Sequence, residues 1–385
     1  MAFKLKHIFG IVILLSIIIV SFFLFPLSNN QYPNITVDSQ DNLHIVWVRG
    51  EDYEQDLYYK KINPAGKTLI ATKRLSRIER LLDGPEIVVD SQNNAHIFTG
   101  IEVKNDGMII QHLVVQNGEV SFERKIKRGK ETREPVATID DEDNIYLVYS
   151  VWNQEQNEES AVGWKWDIRY YLEKLNFKGE LVLGPVEVQG LVFPEADRKP
   201  SYSNRIEIHN DKLYLAFFFS DYDSEPILKM KYAELDKNGE LIRLLDSPVE
   251  YYVDIYSGER LLWTQPLPVF TDESSRICLE SDCVVDSNNN VYYYHGKGDG
   301  RRSYLEYKKF DQTGQIIKEG KITEFAKGPL FWIFDPVIFN TKVHIDTNNN
   351  SHIIYYINNG YNKFSVFYSK VNANGQVLIG NKKIR

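Results

Sequence analysis

The phrase VDSQDNLHIVW at residues 37–47 returns as VDSQNNAHIFT at 89–99 and as VDSNNNVYYYH at 285–295. A chain that repeats one short phrase at long intervals is assembling copies of one unit, and this constrains the fold more than any other feature. Six copies align, centred on Asp38–Asn42, Asp90–Asn94, Asp140–Asn144, a worn copy at His209–Lys212, Asp286–Asn290 and Asp346–Asn350. A proline precedes each: Pro33, Pro85, Pro135, Pro200, Pro268 and Pro336. A second phrase follows in every unit, as in LYYKKINPAGKTL (57–69), LKMKYAELDKNGELI (228–242) and FYSKVNANGQVL (367–378).

Each unit breaks into four short strands. In the first, PNITVD and NLHIVWVR flank a tight SQD turn, and DLYYKKIN and KTLIATKR flank a PAG turn. An aspartate opening a turn accepts hydrogen bonds from backbone two residues on, asparagine tolerates left-handed geometry near its end, and glycine supplies positive φ. The repeated Asp and Asn therefore read as turn chemistry. A calcium loop needs more carboxylates than D-x-Q-x-N offers and a distal glutamate, so no metal is expected. His44, His96 and His352 share one repeat position with Tyr146, Tyr214 and Tyr292, which reads as a strand-packing site.

Six four-stranded units without helical periodicity predict an all-β chain, a six-bladed β-propeller over residues 31–385 with blades starting near 33, 85, 135, 200, 268 and 336. A β-solenoid would use shorter repeats with fewer strands per coil. No N-terminal strand is left to complete the last blade, so the ring is expected to close by face packing alone.

The repeated phrase resembles the inner hairpin of NHL-type propeller repeats, where Val-Asp, a short turn, Asn and an apolar strand recur. It also looks like the blades of sialidase-like (BNR-like) surface propellers, in which proline leads each inner strand. The resemblance covers about residues 31–385 and implies the fold. The Asp-box S-x-D-x-G-x-T-W and an F-R-I-P stretch that would supply a first substrate-binding arginine are both absent.

Residues 1–30 are a separate object. Lys4, Lys6 and His7 precede an uncharged run from Ile8 to Leu27. Twenty residues of helix cover about 30 Å, enough to cross a bilayer. Basic residues on the near side predict a single-pass signal anchor with a cytoplasmic N-terminus and an extracytoplasmic propeller. A signal peptide whose cleavage releases a secreted domain is the alternative. The first strand follows within a few residues, so a retained anchor would hold the variable-loop face near the bilayer. Outside the cytoplasm Cys278 and Cys283 could form a small disulfide loop; two free thiols are the other reading. Asn34 and Asn349 match the N-glycosylation triplet.

The net charge is −8 with scattered basic residues, which argues against a nucleic-acid partner. No phosphate loop, nucleotide fingerprint or Ser-His-Asp order is present, and no cofactor is expected.

In an up-and-down meander the first-to-second and third-to-fourth turns share one face; here they are short and repeated. The other connections lie on the opposite face and differ in every unit, which is where binding residues usually sit. The candidate ligand-binding residues on that rim are Arg133, Trp152, Trp164, Trp166, Arg198, Tyr222, Arg260, Trp263, Arg301, Trp332 and Asp335. Tryptophan faces suit sugar rings or peptide side chains, and arginines clamp anions. Carboxylates cluster there too: Glu131, Glu134, Glu195, Asp197, Asp221 and Asp223. The main expectation is a binding or scaffold module for a glycan or a cell-surface protein, with no residue assigned to catalysis. A glycoside hydrolase or lyase using rim carboxylates and arginines is the alternative, and a structural envelope protein the third.

Overall fold

The computed structural model describes residues 30–51, 54–156, 164–189, 205–209, 211–221, 227–252, 269–272, 275–277, 283–288, 290–298, 302–311, 315–326, 337–358 and 364–384. Their regular structure is all β. Unit one comprises β1 (Asn30–Val37), β2 (Leu43–Glu51), β3 (Glu54–Ile62) and β4 (Thr68–Ile78). Unit two follows as β5 (Arg80–Val89), β6 (Ala95–Val103), β7 (Gly107–Gln116) and β8 (Glu119–Ile126). Unit three holds β9 (Glu131–Ile139), β10 (Ile145–Gln156), β11 (Trp164–Leu175) and β12 (Leu181–Glu187). Unit four holds β13 (Arg205–His209), β14 (Lys212–Asp221), β15 (Ile227–Leu235) and β16 (Leu241–Tyr252). After a small hairpin, β17 (Val269–Asp272) and β18 (Ser275–Ile277), unit five has β19 (Cys283–Val285), β20 (Val291–Gly298), β21 (Arg302–Phe310) and β22 (Ile316–Ala326). Unit six has β23 (Val337–Ile345), β24 (Ser351–Asn358), β25 (Phe364–Val371) and β26 (Val377–Lys383). Within every unit the strands pair antiparallel in chain order. Units two and three are further joined by one parallel pair, Met108 of β7 opposite Glu131 of β9.

The repeated phrase is the turn between first and second strands. In unit one, Asp38 Oδ1 accepts the N–H groups of Gln40 (2.9 Å) and Asn42 (2.8 Å), and the Asn42 amide donates to Oδ2 (3.1 Å). Asp90, Asp140, Asp286 and Asp346 repeat the pattern. The His/Tyr position serves the same aspartate: His44 Nε2 lies 3.2 Å from Asp38 Oδ2, and the Tyr146 hydroxyl donates to Asp140 Oδ2 at 3.0 Å. A third-strand lysine, absent from the sequence reading, completes the group in units one, five and six. Lys61, Lys309 and Lys370 reach Asp38, Asp286 and Asp346 at 2.7, 3.2 and 3.1 Å.

The three described prolines stand near the start of their units, a few residues inside the first strand. Pro33, Pro85 and Pro135 lie inside β1, β5 and β9, each at a bulge where two residues oppose one: Tyr32–Pro33, Gly84–Pro85 and Glu134–Pro135. Bulged residues drop out of the ladder, and proline has no N–H to lose there. Tyr32 and Glu134 accordingly adopt φ of 51° and 54°. Pro200, Pro268 and Pro336 lie outside the described residues.

The cores lie between units. Val46, Val48 and Leu57 of unit one pack on Ile87, Ile97 and Leu113 of unit two, and Phe98 and Ile110 of unit two on Leu147 and Tyr149 of unit three. Similar clusters join three to four, five to six, and six to one. Each unit is apolar on faces that only its neighbours cover, the arrangement that makes repeat folds cooperative. The first and last units meet by more than face packing. Asp41 accepts hydrogen bonds from Thr347, Lys382 Nζ donates to the Gly66 carbonyl, and Ile384 joins the core of Ile35 and Trp47.

Both glycosylation triplets are engaged. Asn34 is buried, its amide donating to the Pro85 carbonyl at 3.0 Å, and Asn349 is bonded to Ser287 at 2.8 Å. The apolar run 8–27 lies outside the described residues, among which no helix is long and apolar enough to cross a membrane.

Candidate functional site

First strands run from the variable-loop end towards the Asp turns, so the beginnings of β5 and β9 sit on the face where ligand residues were expected. There the structure brings Asp83 of β5 against Glu131, Arg133 and Glu134 of β9. The two central residues hold equivalent places, each two before its unit's proline. The Arg133 guanidinium is 3.5 Å from Asp83 Oδ1 and 3.9 Å from Glu131 Oε2. Its Cζ lies 4.8 Å from the centre of the Trp152 ring, within cation–π range. Asp83 Oδ2 accepts the Glu134 N–H at 2.9 Å, a bond made available by the bulge.

A hydrogen-bond chain fixes the other side. Trp152 Nε1–H donates to Ser150 Oγ (2.8 Å), and the Ser150 hydroxyl donates to Glu134 Oε2 (3.0 Å). Behind Asp83 stands Gly100 of β6, where a Cβ would come within 2.3 Å of Asp83 Oδ2. Only glycine lets the carboxyl lie flat on the strand.

The group is nearly dry: Arg133 is 5% exposed and Trp152 0%. Burial pushes the Asp83 carboxyl above the ordinary carboxylate range, against the opposing pull of Arg133 and the Glu134 N–H. Arg133 Nε and Glu131 Oε2 are buried without a hydrogen-bond partner among the described residues. Two carboxyls on one guanidinium, one of them biased by burial towards its neutral form, are the pairing that acid–base chemistry uses.

Of the expected rim residues, Arg133 and Trp152 come together. Trp152 is an inner wall beneath Arg133 and presents no face to solvent. Trp164 and Trp166 lie on β11, opposite Gln156 and Gln154 of β10. Arg198, Tyr222, Arg260, Trp263, Arg301, Trp332 and Asp335 lie outside the described residues, as does Cys278; Cys283 opens β19. Asp83 was missed because D-G-P reads as a turn. Its matching offset from proline with Arg133 was the signal available. No group of three or more metal-ligating side chains occurs among the described residues.

Farther down the same strands, Lys342 of β23 is 3.7 Å from Glu86 of β5, and Arg205 pairs with Glu207 on β13 at 2.7 Å.

No protein-family model and no curated protein matches the chain. Among solved structures it is similar to a protein of unknown function from Dyadobacter fermentans, at 8% identity and TM-score 0.52, covering 88% of this chain and 93% of that one. It is also similar to an α-L-arabinanase of Penicillium chrysogenum, at 13% identity and TM-score 0.49, covering 91% and 95% of the two chains. A subtype N11 neuraminidase-like protein from a flat-faced bat follows at 10% identity and TM-score 0.44, covering 93% and 86%. At these identities the likeness concerns the fold alone.

Proposed function

We propose that the chain is a six-bladed propeller, held at a membrane by residues 8–27 with the propeller extracytoplasmic, which processes a glycan at the β5–β9 cluster by acid–base chemistry. Six repeats and the order of inter-unit cores support the six-bladed ring. One observation carries the function: Asp83, its carboxyl biased by burial towards the neutral form, sits with Glu131 against Arg133 at the variable-loop end of the first strands. Cleavage of a glycosidic bond needs one carboxyl to protonate the leaving oxygen and a second, ionised, to act as base or nucleophile. Asp83 fills the first role and Glu131 the second. Arg133 holds both carboxyls in place and adds positive charge beside them. Glu134, pinned by Ser150, keeps the bulge that gives Asp83 its backbone partner.

The test uses the full-length protein in detergent micelles against a panel of neutral and acidic polysaccharides, read by release of reducing ends or unsaturated products. Loss of the acid typically costs roughly 10²–10⁴-fold in rate. Asp83→Asn and Glu131→Gln are each expected to lose turnover by that order while the fold and glycan binding persist. Absence of turnover across the panel, or turnover indifferent to both changes, sinks the reading.

The near-complete burial of Arg133 and Trp152 favours a second reading, in which the cluster fastens units two and three and the chain is a glycan- or protein-binding module. Binding without turnover, retained in Asp83→Asn, selects it.

A further inference from the structure

We propose that the seam between units two and three carries an acid-sensitive latch: the buried pair His96–His112 takes up a proton and loosens the strands that hold Asp83 and Arg133. The inference is independent of the chemistry assigned to those residues.

Units one and six share a hydrogen-bonded relay from the turn aspartate to a second-strand histidine to a third-strand side chain; unit two lines up the equivalent residues, but His96 Nε2 has no hydrogen-bond partner among the described residues. In unit one, His44 Nε2 faces Asp38 (3.2 Å), the Tyr59 hydroxyl meets His44 Nδ1 (2.8 Å) and Lys61 neutralises Asp38 (2.7 Å). Unit six repeats this with His352, Tyr368 and Lys370 at 3.0, 2.8 and 3.1 Å. Unit two departs twice. The third member is His112, whose Nε2 lies 3.3 Å from His96 Nδ1, and the residue opposite His96, where units one and six have lysine, is Val114. His96 Nε2 is 3.5 Å from Asp90 Oδ2.

A hydroxyl can donate or accept, so the tyrosine relays absorb a change of histidine tautomer by turning one hydrogen. Two imidazoles cannot. With both neutral, one N–H points into the other's lone pair. A doubly protonated His96 presents Nδ1–H to His112, which can accept at Nε2 only with its own proton on Nδ1. That atom is buried without a partner.

The surroundings do not relieve it. His112 stacks on Phe98 (4.3 Å) and meets the edge of Phe122 (5.7 Å). The Gly179 turn of unit three presses on it so closely that a Cβ there would lie 2.8 Å from His112 Cε1. The charged groups that face the pair are Asp90 from the turn after β5, Arg124 from β8 and, through its 3.0 Å contact with Arg124, Glu173 from β11 of unit three. Burial, His96 and Arg124 together hold the His112 ring well below the ordinary imidazole range, so its charged form is disfavoured in the packed seam. The Asp83–Arg133 contact crosses this same seam, and β7, which carries His112, borders Glu131 through Met108.

Hydrogen exchange read by mass spectrometry on the full-length protein in detergent micelles tests the latch. Protection is compared at about pH 7 and about pH 5, the range over which an unperturbed imidazole charges, after correction for intrinsic rates. Peptides from β7 and β9 are expected to lose at least tenfold more protection at acid pH than those from β3 and β25. The double change His112→Tyr, Val114→Lys, which copies units one and six, should abolish the difference, and so should His112→Gln alone. An acid response equal in all units, or one that survives in whichever variant folds, overturns the proposal.

Discussion

The Asp41 carboxylate receives two hydrogen bonds from Thr347, from its backbone N–H at 3.1 Å and its hydroxyl at 2.8 Å, across 306 residues of sequence. The same reach recurs between Asp143 and Ser91, and between Asn349 and Ser287. In each, the left-handed residue of one turn grips the second residue of the turn in the unit before it, with φ of 59°, 61° and 58°. Replacing Asp41 with glycine keeps the backbone at ease and removes only the grip, which should cost about 1 kcal/mol. Alanine adds the strain of a left-handed Cβ and should cost about 1 kcal/mol more. Urea unfolding of both variants checks the order; two neutral changes would mean that the seam of units six and one holds without the clasp.

Lys61 is the charge partner of a carboxylate that has no exposed surface. Removing one member of a buried pair leaves the other uncompensated, so Lys61→Met should destabilise by about 2–4 kcal/mol. The matching Lys309→Met should cost less, because Tyr292 offers that lysine and Asp286 a shared hydroxyl. Denaturant midpoints of the two variants decide it.

Stability should fall with acid in two separate windows. Burial lowers His44, His112, His344 and His352 below the usual imidazole range. The unfolded chain therefore binds protons first, and the stability these rings contribute is full above about pH 6.5 and lost as pH falls below it. Asp38 and Asp346 are held low by His, Lys and Asn partners despite burial, so their contribution goes only below about pH 4. Asp83 runs the other way: its raised pKa favours the fold in acid and opposes it as pH rises. Thermal midpoints measured from pH 8 to pH 3 should show two descending steps, and Asp83→Asn should raise the neutral-pH plateau.

Gly100→Ala puts a methyl where Asp83 Oδ2 now lies. The carboxyl must swing off the strand, so the variant should fold with a loss of about 1–3 kcal/mol and lose the Asp83–Arg133 contact. A carboxyl resonance for Asp83 that titrates in the ordinary range would register that swing; an unchanged one would place the slack in β6 instead.

How much of this was legible depended on distance along the chain. The bond from the turn aspartate to backbone two residues on followed from residue type; that the asparagine four residues after it donates its amide to the aspartate, while the residue before it takes the left-handed place, did not. The His/Tyr position, six residues after the aspartate, was read as a strand-packing site; its side chains are buried, and they also bond the turn aspartate, a partner that residue type alone does not name. Lys61 and Lys370 escaped notice because they lie on the third strand, where pairing register decides who meets whom. The prolines were read as unit openings; bulges that place them within the first strand are set by what opposes them. Asp83 and Arg133 are 50 residues apart, and only stacking of two units makes them neighbours. Trp152 shows the limit of composition: a tryptophan beside a variable loop became a buried wall for an arginine.

Every described unit supplies its strands from one stretch of chain, and β1 and β26 lie in units that touch. β1 begins and β26 ends on the variable-loop side. The break between first and last unit is thus one seam among several rather than a structural boundary. A circular permutant that links residue 384 to residue 30 and opens the chain between units four and five should keep all the described interfaces. The order in which the ribosome delivers the units is, on this geometry, free to change without changing the protein that results.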